Sequence, residues 1–180
     1  MKTLSEIRPC SLVSPNLMMD KTFPLEHRIA HLERMMLTMP QVEIPIEEYE
    51  GDGFYMREMR MPAGTFLLGR VHKYSNMNVM GCGSVYVWTA HDDLVHYEGY
   101  NVIEAFQGVQ RIMYAVKDTI WTTILRMKKG EPIEDPMDYY TSASYEQYLA
   151  FKRDNFDPLE ATGWTGVEGG MPRLASSRDD

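Results

Sequence analysis

Three polar side chains on one predicted strand are the first candidates for a binding site. His72, Tyr74 and Asn76 occupy alternate positions of the segment 66–76, which we predict to be one strand. Because alternate residues of a strand point to the same face, these three side chains are expected to face one way. An imidazole, a phenol and an amide on one face offer several hydrogen bonds to a small polar ligand. The pattern therefore predicts the polar wall of a ligand pocket.

A second predicted strand and two arginines complete the candidate site. On the segment 119–127, Trp121 and Thr123 share one face. Arg70 shares the predicted face of the first three residues, and Arg111 opens a strand that follows a glycine turn. Guanidinium and indole groups beside a polar wall are suited to a small anionic or aromatic molecule. We therefore predict that all seven residues contact a ligand of that kind.

Each of these residues also has a purely structural explanation. Narrow β-barrels are commonly packed solid, so the tyrosine, tryptophan and threonine of this set could simply fill the interior. The sequence leaves the filled barrel and the open pocket as alternatives. For Arg111, a salt bridge at the rim with Asp118 or Glu104 is slightly preferred over a ligand contact.

Composition limits the class of protein. The chain has 180 residues, of which 44% are hydrophobic and 24% are charged, which suits one globular domain with a sizeable core. Its formal net charge of −8 disfavours nucleic acid or an anionic membrane as a partner. Two cysteines make no disulfide framework. No secretory or membrane-spanning segment is recognisable, so we expect an intracellular protein that is neither secreted nor transmembrane.

The elements that would hold the candidate site are mostly strands. Short β-rich runs from 53 to 127 alternate with turn signals such as Gly81–Cys82–Gly83 and Lys117–Asp118, a texture typical of an antiparallel sandwich or barrel. We predict strands at 54–61, 66–76, 84–90, 94–97, 100–106, 111–116 and 119–127.

The two ends of the chain carry one predicted helix each. Apolar residues at helical spacing predict an amphipathic helix over 24–37 and a short helix over Ser144–Asp154. The remaining parts of both ends are expected to be irregular. We predict one domain overall, in which 1–52 packs on a barrel formed by 53–127, and 128–180 forms a linker, the short helix and a tail.

Four sequence pieces in order carry a resemblance to a known family. They are the segment 60–65 with its Pro-Ala-Gly-Thr turn, the segment 69–73 with Gly-Arg-Val-His-Lys, a Gly-Val-Gln-Arg turn at 108–111 and an Asp-Thr-Ile-Trp-Thr-Thr strand at 118–123. In this order and spacing the chain resembles the cupin-like proteins encoded by bacteriophages. The resemblance covers roughly 53–127, and it implies a mainly β fold, the double-stranded β-helix barrel.

The metal site that the resemblance implies is incomplete in this chain. The family pattern places histidines after the first one of the cluster and again after the Trp-Thr-Thr strand. Only His72 matches, because Tyr74 and Asn76 fill the later positions and Ile124–Leu125 stands where the last histidine would fall. Transition metals need about three good protein ligands. We therefore predict no metal and no cofactor, with His72 as the centre of any metal site that exists.

Other sites of chemistry are weakly supported. His27 and His31 lie one turn apart on the predicted helix, but without a third ligand they are expected to form a solvated face. Cys82 between two glycines is expected to be a small turn residue. No phosphate-binding glycine loop, paired-cysteine metal motif or nucleophile elbow is present.

Two functional hypotheses follow. The preferred one is a non-enzymatic phage protein that acts by binding, either a small molecule in the barrel or protein partners such as a host factor or virion subunits. Its expected location is the cytoplasm of the infected bacterium or the virion, and its expected assembly is a homodimer or larger. The alternative is a metal-dependent cupin enzyme, of isomerase or dioxygenase type, with an unusual ligand set centred on His72.

Overall fold

Strands dominate the architecture, as the sequence predicted. The computed structural model describes residues 22–88, 94–127 and 135–155. Its helices are α1 (Leu25–Met36), α2 (Pro136–Tyr140) and α3 (Tyr145–Asp154). Its strands are β1 (Ile46–Gly51), β2 (Phe54–Met61), β3 (Phe66–Leu68), β4 (Val71–His72), β5 (Asn76–Trp88), β6 (Leu94–Glu98), β7 (Asn101–Ala105), β8 (Ile112–Arg126) and β9 (Thr141–Ser142).

Two long antiparallel strands form the centre of the main sheet. β5 has 13 residues and β8 has 15, and they pair with each other along most of their length. The first half of β5 also pairs with β7 and its second half with β6. In the same way β8 pairs first with β3 and then with β2, beyond which β1 forms an edge. A separate ribbon joins β4 to β9.

The glycines at 81 and 83 lie inside β5, so the turn predicted at Gly81–Cys82–Gly83 is wrong. The pairing of β5 with β8 shifts register there, which is the signature of a β-bulge. Gly83 has a φ of +107°, and a β-carbon on it would collide with the hydroxyl of Thr119. Glycine is needed because another strand approaches closely. The turn predicted at Lys117–Asp118 is likewise wrong, because both residues lie within β8 opposite this bulge.

The predicted strand 66–76 is also wrong, because this segment is divided into three parts. β3 ends at Leu68, β4 comprises two residues, and β5 starts at Asn76. Between them the chain changes partner: Gly69 N donates to Arg111 O at 2.8 Å, whereas Lys73 N donates to Tyr140 O at 2.9 Å. The segment therefore leaves the main sheet, pairs briefly with β9 and returns. Side chains on the two sides of these breaks therefore do not alternate as they would along one strand.

Both predicted helices are confirmed, and three further elements, α2, β1 and β9, were not expected. The side chain of Ser144 caps α3 by accepting a hydrogen bond from Gln147 N, and Asp135 caps α2 in the same manner. α2 falls in the region predicted as linker. β1 falls in the region predicted as an arm, and it lacks apolar alternation because almost all of its side chains are exposed at the sheet edge.

Three apolar clusters form the core of the described part of the chain. The largest contains Met80, Val87 and Trp121 on the inner face of the sheet. Leu32 of α1, fully buried, packs with Trp88 and Ile112 over one end. The third cluster is formed by Tyr55, Leu125, and Tyr140 of α2. None of the helices in the described part of the chain has the length and apolar character needed to cross a membrane.

Candidate functional site

His72 lies at the end of β4 and is held there by a glycine turn. Its backbone N–H donates to Val109 O at 2.9 Å, and Gly108 N donates to His72 O at 2.7 Å. Gly108 has a φ of +83°, a conformation that glycine adopts without strain. The family-like Gly-Val-Gln-Arg sequence therefore places His72 against the segment that leads into β8.

Two asparagines of β5 connect His72 to β8. Asn76 and Asn78 are buried and lie on one face of the strand. Asn78 Oδ1 accepts hydrogen bonds from Trp121 Nε1 at 3.1 Å and from Thr123 Oγ1 at 2.9 Å. Asn78 Nδ2 donates to Asn76 Oδ1 at 2.9 Å, and Asn76 Nδ2 lies 3.0 Å from His72 Nδ1. Five side chains thus form one continuous polar network.

Arg111 is a buried cation beside this network. It is 8% exposed, its guanidinium lies 5.9 Å from the centre of the Trp121 ring, and Nη2 donates weakly to Glu104 O at 3.4 Å. Within the described ranges no carboxylate forms an ion pair with it. The preferred salt bridge with Asp118 or Glu104 is therefore wrong. The Asp118 carboxylate instead accepts a hydrogen bond from Ala63 N.

The local electrostatics keep His72 neutral. Burial, reinforced by the positive charge of Arg111, lowers the pKa of His72 to about 4. Burial also lowers the pKa of Arg111, although a guanidinium stays protonated in proteins. At neutral pH the site therefore contains one positive charge, on Arg111, next to a neutral imidazole and two amides.

Two of the predicted site residues have other contacts. The ring of Tyr74 packs at 5.9 Å on Tyr139 and at 5.6 Å on Phe151, in the connection between β4 and β5 rather than on a strand. The expectation that it shares a strand face with His72 is wrong. Arg70 Nη2 forms an ion pair at 2.7 Å with Asp138 of α2. The remaining five predicted residues lie together in the network or beside it.

Two residues of this region were not predicted from the sequence. Asn78 lies at the centre of the network. It continues the alternate spacing of His72 and Asn76 along the chain, and this spacing could have identified it as a site residue. Arg57 of β2 is paired with Thr123 of β8, so it shares the inner face. Its Nε atom is buried without a hydrogen bond and lies 3.9 Å from the carboxylate of Glu48.

The described residues do not fit a divalent metal. No group of three His, Cys, Asp or Glu side chains among them lies close enough to hold an ion. His72 Nδ1 already faces the amide of Asn76, and the Asn78 oxygen already accepts two hydrogen bonds. A cation would also lie next to the unpaired charge of Arg111, which opposes binding.

No family model matches the sequence, and no curated protein matches it. An RmlC-like cupin family protein with a double-stranded β-helix fold from Methanocaldococcus jannaschii is 8% identical; the superposition covers 47% of this chain and 80% of that one, with a TM-score of 0.42.

Two other solved structures are similar to the same extent. KdgF from Halomonas sp. is 9% identical over 51% of this chain and 86% of that one, with a TM-score of 0.42. An RmlC-like cupin protein from Desulfovibrio desulfuricans is 19% identical over 49% of this chain and 90% of that one, with a TM-score of 0.40. Two of the three are described as RmlC-like cupins.

Proposed function

We propose that this chain is a non-enzymatic, cupin-type protein of bacteriophage origin that binds a small anionic molecule through Arg111. The observation that carries the proposal is a guanidinium that is 8% exposed and has no carboxylate partner among the described residues. Removing an ion from water costs several kcal/mol unless it is paired. An anionic ligand would supply the missing partner.

The surroundings of Arg111 support a binding role more than a catalytic one. A general base works best with a pKa near the working pH, whereas the pKa of His72 is lowered to about 4. The amides of Asn76 and Asn78 are already committed to each other. The site then offers neutral polar groups, the indole of Trp121 and the positive charge of Arg111. These groups suit recognition of a small anion with an apolar or aromatic part.

Native mass spectrometry tests this proposal. The purified protein is incubated with a small-molecule extract of bacterial cells and sprayed without denaturation. We expect a bound small molecule that appears with the wild type and is lost in Arg111→Met, while it is retained in Arg153→Gln, a control at an exposed arginine. Turnover of a sugar, nucleotide or keto acid by the purified protein would contradict the non-enzymatic role. Stoichiometric metal that is lost in His72→Ala would support the metal-dependent alternative.

The place of action and the assembly are proposed on separate grounds. The resemblance to phage proteins supports action in the infected cell or as a virion component, and mass spectrometry of purified virions distinguishes these. A homodimer or larger assembly is supported by β1, an exposed strand that pairs only with β2 within the described ranges, because open edges are usually covered. Light scattering that gives a monomer mass at high concentration would contradict the assembly.

A further inference from the structure

The hydrogen-bond network between β5 and β8 has only one allowed direction. An indole N–H can donate but cannot accept. Trp121 Nε1 lies 3.1 Å from the side-chain amide of Asn78, so the Asn78 atom at that contact is its oxygen. The amide nitrogen of Asn78 is then the atom that faces Asn76.

This direction is transmitted to the histidine. Asn78 Nδ2 can only donate, so the atom of Asn76 at 2.9 Å is Oδ1. Asn76 Nδ2 is consequently the atom at 3.0 Å from His72 Nδ1. A ring nitrogen that accepts a hydrogen bond carries no hydrogen, and a neutral imidazole carries one hydrogen in total. The hydrogen of His72 is therefore on Nε2.

Two backbone carbonyls fix the same direction independently. Asn76 Nδ2 also donates to Tyr74 O at 3.2 Å, and Asn78 Nδ2 points to Ile103 O at 3.5 Å. Carbonyl oxygens only accept, so turning either amide around would place oxygen against oxygen. Hydrogen bonds within the network and to the neighbouring backbone therefore fix the orientation of both asparagine amides.

We propose that Asn78 and Asn76 are positioning residues that hold His72 as its Nε2–H tautomer, with Trp121 setting their direction. The consequence for recognition rests on the proposed function. Arg111 and the Nε2–H of His72 would then both be hydrogen-bond donors, so a ligand group that contacts them must accept, as a carboxylate or a phosphate does. Ligands that present an ammonium or a metal ion would meet donors and a positive charge.

The tautomer is measured directly by long-range proton–nitrogen NMR correlation of the histidine rings at pH 7. We expect His72 to show a protonated Nε2 and a bare Nδ1, without any ligand added. A spectrum with the hydrogen on Nδ1, or with both nitrogens protonated, would overturn the proposal. Since the wild-type protein alone gives this answer, the test does not depend on a variant that folds.

Asn76→Asp tests whether the hydrogen bonds from Asn78 through Asn76 determine the tautomer of His72. A carboxylate can accept from Asn78 but cannot donate to His72, so Nδ1 should gain a hydrogen and the ring signals should change accordingly. If Nδ1 carries no hydrogen in this variant, Asn76 does not determine the tautomer of His72. Asn101→Asp adds the same charge on β7, outside the network, and should leave the His72 ring unchanged. If the wild type shows Nε2–H yet binds neither inorganic phosphate nor succinate, the tautomer assignment holds and the proposed function fails.

Discussion

The hydroxyl oxygen of Tyr148 in α3 lies 2.9 Å from the point that a β-carbon on Gly108 would occupy. The same glycine donates its backbone N–H to His72 O. α3 therefore packs directly on the turn that holds the histidine of the candidate site.

Gly108→Ala should lower the free energy of unfolding by about 2–3 kcal/mol, because an alanine is strained at a φ of +83° and its methyl would press on Tyr148. Gly99→Ala is the matched control: Gly99 has a φ of +71°, and no described atom lies within 4 Å of a β-carbon there. We expect the control to lose only about 1 kcal/mol. If urea denaturation gives the same loss of unfolding free energy for both variants, the contact with Tyr148 adds nothing to the cost of a side chain at position 108.

The partly buried His72 should make the fold sensitive to acid. Its pKa is about 4 in the folded protein and 6.5 as the ordinary value, so the unfolded chain binds a proton at a higher pH than the folded chain. The free energy of unfolding is therefore at its full value above pH 6.5. It falls progressively as the pH is lowered from 6.5 through 4. The difference corresponds to roughly 3 kcal/mol.

The measurement is urea denaturation of the wild type and His72→Gln between pH 7 and pH 4. The wild type should lose roughly 3 kcal/mol more than His72→Gln over this range. His31→Gln, which removes an exposed histidine of α1, should behave like the wild type. The same pH dependence in the wild type and His72→Gln would mean that His72 is not held neutral.

Arg111→Met should not weaken the ligand-free protein. Replacing an unpaired buried charge by an apolar side chain of similar length is often neutral or stabilising, so we expect an unchanged or about 1 kcal/mol higher free energy of unfolding. Arg70→Met, which removes a half-exposed ion pair with Asp138, should cost at most about 1 kcal/mol. A loss of about 3 kcal/mol or more in Arg111→Met would instead reveal a charged partner of Arg111 within the chain.

Leu125→His tests whether one substitution restores a metal site. Leu125 is buried against Tyr55 and Tyr140, and the variant would still offer only two imidazoles, one of them beside Arg111. We expect no stoichiometric zinc or nickel by elemental analysis and a loss of about 2 kcal/mol of stability. Ile124→His, on the opposite face of β8, is the control. Tight metal binding by Leu125→His alone would contradict our interpretation of the site.

The sequence was most informative where local patterns decide the structure. α1 and α3 have apolar residues at helical spacing, so both were found. Trp121 and Thr123 were assigned to one face because β8 continues without interruption through both. His72 and Arg111 were both assigned to the predicted site, although a rim salt bridge was slightly preferred for Arg111.

The errors arose where distant contacts decide the structure. The segment 66–76 alternates like a strand, but its partners are Arg111 on one side and β9, about 70 residues away, on the other. Two glycines near 82 suit a turn and a bulge equally, and only the approach of Thr119 distinguishes them. Tyr74 was misplaced because its contacts belong to α2 and α3, which no local pattern connects to it.

The central claim is that Arg111 is the binding centre for an anion, and titration calorimetry tests it most directly. Wild-type protein and Arg111→Met are titrated at pH 7 with inorganic phosphate, succinate and benzoate. We expect at least one of these anions to bind the wild type, and its affinity to fall by about ten- to hundredfold in the variant, the size of a lost charged hydrogen bond. Binding of none of them, or equal binding by both proteins, would contradict the claim.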